Sequence, residues 1–469
     1  MNQLPLPYSE IRRQLNAGEQ TCVGLIQNHL AQIDAHNNKL NAFLAVYRDE
    51  ALARAEVIDQ KIAAGQAGSL AGLVVGIKDL LCYESHGSQA GSQILNGFES
   101  TFSATAVQRL LDADAIIIGR QNCDEFGMGS TNENSSFGPV LNFANTAHVA
   151  GGSSGGSAVA VQAGMCQVSL GTDTGGSIRM PAAFCGVLGL KPTYGRVSRW
   201  GLIAYASSFD SIGPMAHHLE DLSLVLACIE GEDGYDSTLT EVPNMAYQPK
   251  KRIAYIKEIV EHPSLQSEIR DAFFTQVEAI ESTGVEVVSV DFAYLDQMLP
   301  TYYVLTTAEA SSNLARFDGI KFGHRTENAR DLMELYKKTR EEAFGEEVKR
   351  RIMLGTFVLS ADYYDAYYTK AQQVRRLIQE RTLAILADVD YIISPTTSST
   401  AYRLGEKTVD PLQMYLGDLF TVQANVTGLP ALSIPMGVDS NQLPMGFQVM
   451  GRSFDEAGLL NFAKMIQAS

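Results

Sequence analysis

The 469-residue sequence has six cysteines (Cys22, Cys82, Cys123, Cys166, Cys185 and Cys228), and no two of them form a CxxC pair. That scatter excludes a zinc ribbon, argues against a disulfide framework and suits a reducing compartment. Positive charge is scarce, with 36 Lys+Arg against 53 Asp+Glu and a formal net charge of −17. Such a chain repels nucleic-acid phosphate unless a local basic patch overrides it. Its densest basic runs, 250–252 and 349–351, are short, and acids precede the second. No window approaches the roughly 18 apolar residues that a membrane span needs. Residues 1–19 hold no basic-then-apolar leader, so the chain is expected to be soluble and cytoplasmic. No internal repeat is visible. No cluster of His, Cys and carboxylates has metal-ligand spacing, so no metal is expected in this chain. With 45% hydrophobic and 19% charged residues, the composition is globular, and the length is enough to bury a large core without staples.

What is present is an alternation of strand and helix signals. Residues 8–49 read as two amphipathic helices, with Ile11, Leu15, Cys22, Leu25, Ile26, Leu30 and Ile33 at helical spacing. Residues 73–77 (LVVGI) read as a buried strand ending at Lys78-Asp79, and 115–119 (AIIIG) as another. Further strands are expected at 252–256, 285–290, 389–393, 432–436 and 446–450, with helices at 104–113 and 265–283 and a last helix from about 456. Residues 300–388 are mostly helical in period. The expected fold is α/β: one central mixed β-sheet covered by helices on both faces, with a helical insertion or cap near 300–388. A single domain spans 1–469, with N-terminal helices in 1–70 and the chemically richest part in 71–230.

The chemistry concentrates in 151–177 (GGSSGGSAVAVQAGMCQVSLGTDTGGS), where eight of 27 residues are glycine and five are serine. Glycine lets backbone turn tightly and approach a ligand. A flexible glycine loop is one reading. A phosphate cradle is a second, but the run lacks the GK[ST] ending of a P-loop, and no GxGxxG follows a strand. Acyl chemistry over an oxyanion hole of backbone N–H groups is the third. Residues 152–156 match the G-x-S-x-G nucleophile elbow, yet no β run precedes them. The histidines that follow (His217, His218, His262 and His324) end no strand-like run, which weakens a Ser-His-Asp reading. A serine without histidine needs another base, and lysine serves if burial keeps it neutral. Lys78 is the candidate, because its strand would carry it inward. A lysine snorkelling to solvent from a strand end is the alternative.

These residues resemble the amidase signature family, whose members use a Ser–Ser–Lys triad. The matching segments are 76–79 (GIKD), 151–157 (GGSSGGS) and 171–179 (GTDTGGSIR), with Ser153 and Ser177 spaced 24 positions apart. The resemblance extends over nearly the whole chain to the glutamine-hydrolysing A subunits of tRNA-dependent amidotransferases. It includes 124–130 (DEFGMGS), 191–199 (KPTYGRVSR), 309–314 (EASSNL), 348–352 (VKRRI) and 415–418 (YLGD).

The resemblance implies Ser177 as nucleophile, Ser153 as bridging serine and Lys78 as base. It implies an oxyanion hole from Thr174, Gly175, Gly176 and Ser177. It also implies that Tyr302 (or its neighbour Tyr303), Arg351 and Asp418 hold the α-amino and α-carboxylate groups of glutamine. A zwitterion needs one cation and one anion, and Arg grips carboxylate in two-pronged fashion while Asp accepts from ammonium. The implied partners are the B and C subunits of a heterotrimer, with ATP, Mg²⁺ and most tRNA contact in the partner and no cofactor in this chain. Neither DNA nor a membrane is an expected partner. A free-standing amidase acting on small amides is the nearest alternative. The sequence departs from the family pattern at Met180, where Gln is usual, at His148 and Ala150, and at Leu80-Leu81.

Overall fold

The computed structural model describes residues 5–241, 251–406 and 415–468. Eleven strands form one mixed sheet in the order β1-β3-β2-β4-β6-β5-β10-β11-β9-β7-β8. In chain order they are β1 Phe43–Val46, β2 Val74–Lys78, β3 Ile116–Gln121, β4 Val168–Asp173, β5 Leu188–Lys191, β6 Ser211–Ala216, β7 Arg252–Ile256, β8 Glu286–Val290, β9 Ile392–Pro395, β10 Ala431–Val438 and β11 Pro444–Met450. β2 lies parallel to β3 and β4, and β7 parallel to β8 and β9. Antiparallel pairs join the two parallel groups through β6, β5, β10 and β11.

Strand side chains alternate between faces, and the core follows that period. Val75, Ile77 and Ile117 enter one apolar cluster, while Val74, Ile116 and Ile118 enter another on the opposite face. Likewise Ile393 and Leu432 point away from Ile392 and Ala431. The continuous apolar runs are therefore strands covered on both faces. Lys78 shares its face with Val74 and Gly76, so its side chain is directed into the protein.

The helices are α1 Tyr8–Ala17, α2 Cys22–Leu40, α3 Arg48–Ala63, α4 Thr105–Asp112, α5 Gly155–Gln162, α6 Arg179–Cys185 and α7 Leu219–Ile229. They continue with α8 Lys257–Val260, α9 Ser267–Ser282, α10 Leu295–Asn313, α11 Leu332–Ala343, α12 Glu346–Val358, α13 Lys370–Asp388, α14 Val422–Thr427 and α15 Glu456–Ala468. α10, α12 and α13 pack together on the face that holds Ile392 and Ala431.

The N-terminal region differs from its sequence reading. α2 stops at Asn41, which adopts the left-handed conformation (φ 54°). Both side-chain arms of Asn37 then bind the backbone of Phe43. Phe43–Val46 pair with β3 as an edge strand, too short for a period to show. α3, which begins at Arg48, has no counterpart in that reading. Within the helical region, 317–331 is not helical, and Asp365–Thr369 forms a π-helical turn before α13.

Candidate active site

β2 delivers Lys78 into a fully buried position. Its Nζ lies 2.8 Å from Ser153 Oγ, 2.9 Å from Ser154 Oγ and 2.8 Å from Thr172 Oγ1. Burial penalises the ammonium and pulls this lysine down to about 8, against the opposing pull of Asp124, Asp173 and Asp210. The snorkelling alternative does not hold.

Ser153 and Ser154 stand on the loop that enters α5, and the Gly152–Ser153 peptide is cis. No strand precedes this loop, so the nucleophile-elbow geometry is absent. The Ser153 carbonyl accepts from Asp124 N–H (3.2 Å). Asp124 is itself held by the N–H groups of Asn132 and Asn134. Ser177 lies on the loop between β4 and α6, and its carbonyl accepts from Ser154 N–H (3.1 Å), which ties the two serine loops together. Among the described residues no hydrogen bond joins Ser153 Oγ to Ser177 Oγ. His217, His218, His262 and His324 bond to Val161, Pro5, Ser264 and Glu342, all outside this cluster.

The 174–177 loop is braced by a buried ion pair. Asp173 and Arg179 are both inaccessible and lie 3.0 Å apart. Burial raises the Asp173 carboxyl, but Arg179 outweighs it and brings the group down to about 2. Arg179 also donates to the Thr421 carbonyl, Gln448 and Asn425. Asp173 accepts the N–H of Gly176 (2.8 Å) and of Ile178 (3.2 Å). Of the four N–H groups of 174–177, that of Gly176 is thus engaged within the loop. The N–H groups of Thr174, Gly175 and Ser177 have no partner among the described residues. Gly176 has φ +128°, and a Cβ there would lie 2.2 Å from Thr421 Oγ1, so glycine is required. A Cβ on Gly175 would lie 2.3 Å from the Tyr302 hydroxyl oxygen. Thr174 Oγ1 donates to Asp210, whose carboxyl burial raises to about 6.

The second half of the cluster comes from residues far away in sequence. Tyr302 and Tyr303 are neighbours on α10, about 100° apart around the helix. Tyr302 therefore reaches Gly175, while Tyr303 donates to Asp418 Oδ2 (2.5 Å). Both tyrosines thus enter the site, and it is Tyr303 that touches Asp418. Ser130 donates to the other Asp418 oxygen (2.7 Å). Burial raises Asp418 to about 6, and the bonds from Tyr303 and Ser130 oppose that rise. Thr421 Oγ1 donates to the Gly175 carbonyl (2.6 Å) and also approaches the Asp418 carbonyl (3.1 Å), which joins the two halves.

Arg351, on α12, is 2% exposed. Its guanidinium donates to Glu347 (2.7 Å) and to the Tyr205 hydroxyl (2.7 Å), and it lies over the rings of Tyr205, Tyr303 and Tyr415. Burial works against its charge, but Glu347 and the tyrosine oxygens more than compensate. It is neither a surface charge nor a free cation. Its neighbours Lys349 and Arg350 pair with Glu346 and Glu347, so the 349–351 run makes no basic patch. Lys250 of the other run lies outside the described residues.

The sequence reading assigned no role to Ser154, Thr172, Asp173, Arg179, Ser130, Tyr205 or Glu347. Glu347 was detectable as an i, i+4 partner of Arg351. Ser154, Thr172, Asp173 and Arg179 lie inside quoted motif segments, whereas Tyr205 carried no signal. Of the departures from the family pattern, Met180 packs with Val149, Phe184 and Ala401, and Ala150 and Leu80 are buried in apolar clusters. His148 Nδ1 is buried without a partner. Among the described residues no group of three or more His, Cys, Asp or Glu could hold a metal ion, and no helix is long and apolar enough to cross a membrane.

The model of the Amidase family matches residues 24–460. The A subunit of the glutamyl-tRNA(Gln) amidotransferase of Acidobacterium capsulatum is 48% identical over 464 residues, covering 97% of each chain. That of Brevibacillus brevis is 47% identical over 464 residues, covering 97% of this chain and 94% of the relative. The crystal structure of the corresponding A subunit from Thermotoga maritima superposes with a TM-score of 0.80 at 37% identity, covering 99% of this chain and 96% of that one. The peptide amidase of Stenotrophomonas maltophilia superposes at 0.82 with 28% identity, covering 99% of this chain and 98% of that one. With a buried lysine among hydroxyls, two linked serine loops and a family match across most of its length, this chain belongs to the Amidase family.

Proposed function

We propose that this chain is the glutaminase subunit of a tRNA-dependent amidotransferase, working in the cytoplasm in a heterotrimer with B and C subunits. It hydrolyses the side-chain amide of glutamine and passes ammonia to a partner that amidates activated Glu-tRNA(Gln) or Asp-tRNA(Asn). The observation that carries this reading is a run of buried polar contacts with two ends. The Lys78–Ser153–Ser177 group stands at one end, Arg351 and Asp418 stand at the other, and Tyr302, Tyr303 and Thr421 link them. Small-amide hydrolysis requires only the first end. The α-carboxylate and α-ammonium of an amino acid account for the second. The full-length similarity to A subunits supports the same reading.

In acylation, Ser177 Oγ bonds to the carboxamide carbon and its proton passes to Ser153, while the Ser153 proton passes to neutral Lys78. The oxyanion accepts from the N–H groups of Thr174, Gly175 and Ser177. A donor of this kind typically supplies about 3–4 kcal/mol. The proton returns by the same route to the leaving nitrogen, the C–N bond breaks, and ammonia departs. Water then cleaves the glutamyl-Ser177 ester. Arg351 grips the α-carboxylate, and Asp418 accepts from the α-ammonium. ATP and Mg²⁺ are assigned to the partner, and no metal or cofactor to this chain.

The test is ammonia release from glutamine by the purified chain, alone and with the B and C subunits, ATP and Glu-tRNA(Gln). Strong stimulation in the complete system is expected. Equal activity alone, or preference for a simple aliphatic amide over glutamine, would make it a free-standing amidase.

A further inference from the structure

Three hydroxyl oxygens, not one, surround the amine of Lys78. Ser154 Oγ accepts the N–H of Thr172 (3.2 Å) and donates to the Thr172 carbonyl (3.0 Å). An amide N–H can only donate, and a carbonyl can only accept. One Ser154 lone pair and its proton are therefore committed, and only its second lone pair is left for Lys78. Ser154 can accept from the amine but cannot donate to it. Thr172 Oγ1 has no partner other than Lys78 among the described residues. The ionisable groups around the amine are Cys123 and Asp124 after β3, Asp173 at the end of β4 and Asp210 before β6. None of them is hydrogen-bonded to Nζ, so its direct partners are the three hydroxyls.

A neutral amine has two N–H donors and one lone pair, whereas an ammonium has three N–H donors. The protonated form therefore matches three acceptors, and the neutral form matches two acceptors and one donor. We propose that Ser154 and Thr172 are positioning residues that, with Ser153, form a three-oxygen cage complementary to protonated Lys78. The inference rests on the triad reading above. Ser154 takes one N–H of the amine, and in the arrangement from which proton transfer starts Thr172 takes the second, which turns the lone pair toward the Ser153 hydroxyl. As Ser177 Oγ bonds to the carbonyl carbon, its proton moves to Ser153 and the Ser153 proton moves to Nζ. The new ammonium then donates to all three oxygens, so the cage is strongest where the charge develops.

The test uses Thr172→Val, which keeps shape and removes the hydroxyl, and Thr172→Ser, which restores it. Each full-length variant is assayed in complex with the B and C subunits, as kcat/KM for glutamine against pH. Loss of an acceptor destabilises the ammonium and lowers the lysine pKa. The expected result for Thr172→Val is an acid limb shifted down by about one pH unit, with a plateau lowered about ten-fold. Thr172→Ser should return both to near wild type, and Ser154→Ala should shift the limb in the same direction as Thr172→Val. An unmoved limb, whether or not the plateau falls, overturns the proposal, because a packing role changes the plateau alone. Wild-type hydrolysis by Ser177→Ala, or a wild-type acid limb in Lys78→Met, would instead overturn the triad reading.

Discussion

A single buried amine governs the pH behaviour expected of this protein. In the proposed mechanism Lys78 acts as base only when neutral, and burial brings it to about 8. Glutamine hydrolysis should therefore rise with pH through that region and level off above it, as a pH–rate profile will show. In the proposed mechanism Asp418 must be ionised to hold an ammonium, and burial pushes it up to about 6. Below that pH the KM for glutamine should climb while kcat at saturation follows Lys78 alone. Ser177→Ala should lower hydrolysis by at least about a thousand-fold without changing the circular dichroism spectrum. Arg351→Met should raise the KM for glutamine at least about ten-fold with kcat within a few-fold, provided that glutamine binding is at equilibrium. Glu347 keeps Arg350 and Tyr415 as partners in that variant, so the protein should still fold.

The elements that carry the site differ in how their sequence reveals them. β2 is readable because five consecutive buried residues leave no alternative to a covered strand, and that burial also sends Lys78 inward. α5 is small and apolar on every side because it is enclosed, so it carries no amphipathic period. The loop from β4 to α6 depends on the Asp173–Arg179 pair, whose bonds hold the Gly176 and Ile178 N–H groups and reach α14 through Asn425. Removing one member of a buried pair leaves an uncompensated charge. Arg179→Met should thus cost about 3–5 kcal/mol, read as a lower denaturant midpoint, and should also lower hydrolysis, because the loop bearing Ser177 loses its brace. Gly176→Ala should lose activity as well, since its backbone conformation and the contact with Thr421 both resist a Cβ.

For the whole molecule, net charge bears on tRNA binding. A net charge of −17 and paired cations in the 349–351 run leave no evident basic surface there. The isolated chain should bind tRNA with Kd weaker than about 10 μM at physiological salt in a filter-binding assay, whereas the complete complex should bind it more tightly. The sheet is continuous from β1 to β8, so the last strands, β9 to β11, lie in the same layer as the chemically rich β2 to β6. That continuity brings α10 and α14 against the loop that bears Ser177.

The readable and unreadable parts divide by distance along the chain. Periodicity, the Gly/Ser run and the serine spacing depend on near neighbours, so the α/β class, the Lys78 strand and the serine pair follow from the primary structure. Tyr303 against Asp418, Thr421 against Gly175 and Tyr205 against Arg351 join residues 115, 246 and 146 positions apart. No local pattern encodes such pairs. Only the strand order and the packing of α10 and α12 bring them together. The choice between Tyr302 and Tyr303 is of the same kind, because adjacent helix positions point in different directions and only the docked helix shows what each one meets. The Gly176 N–H is likewise decided by the fold, since only the folded loop shows that it donates to the buried Asp173 carboxylate.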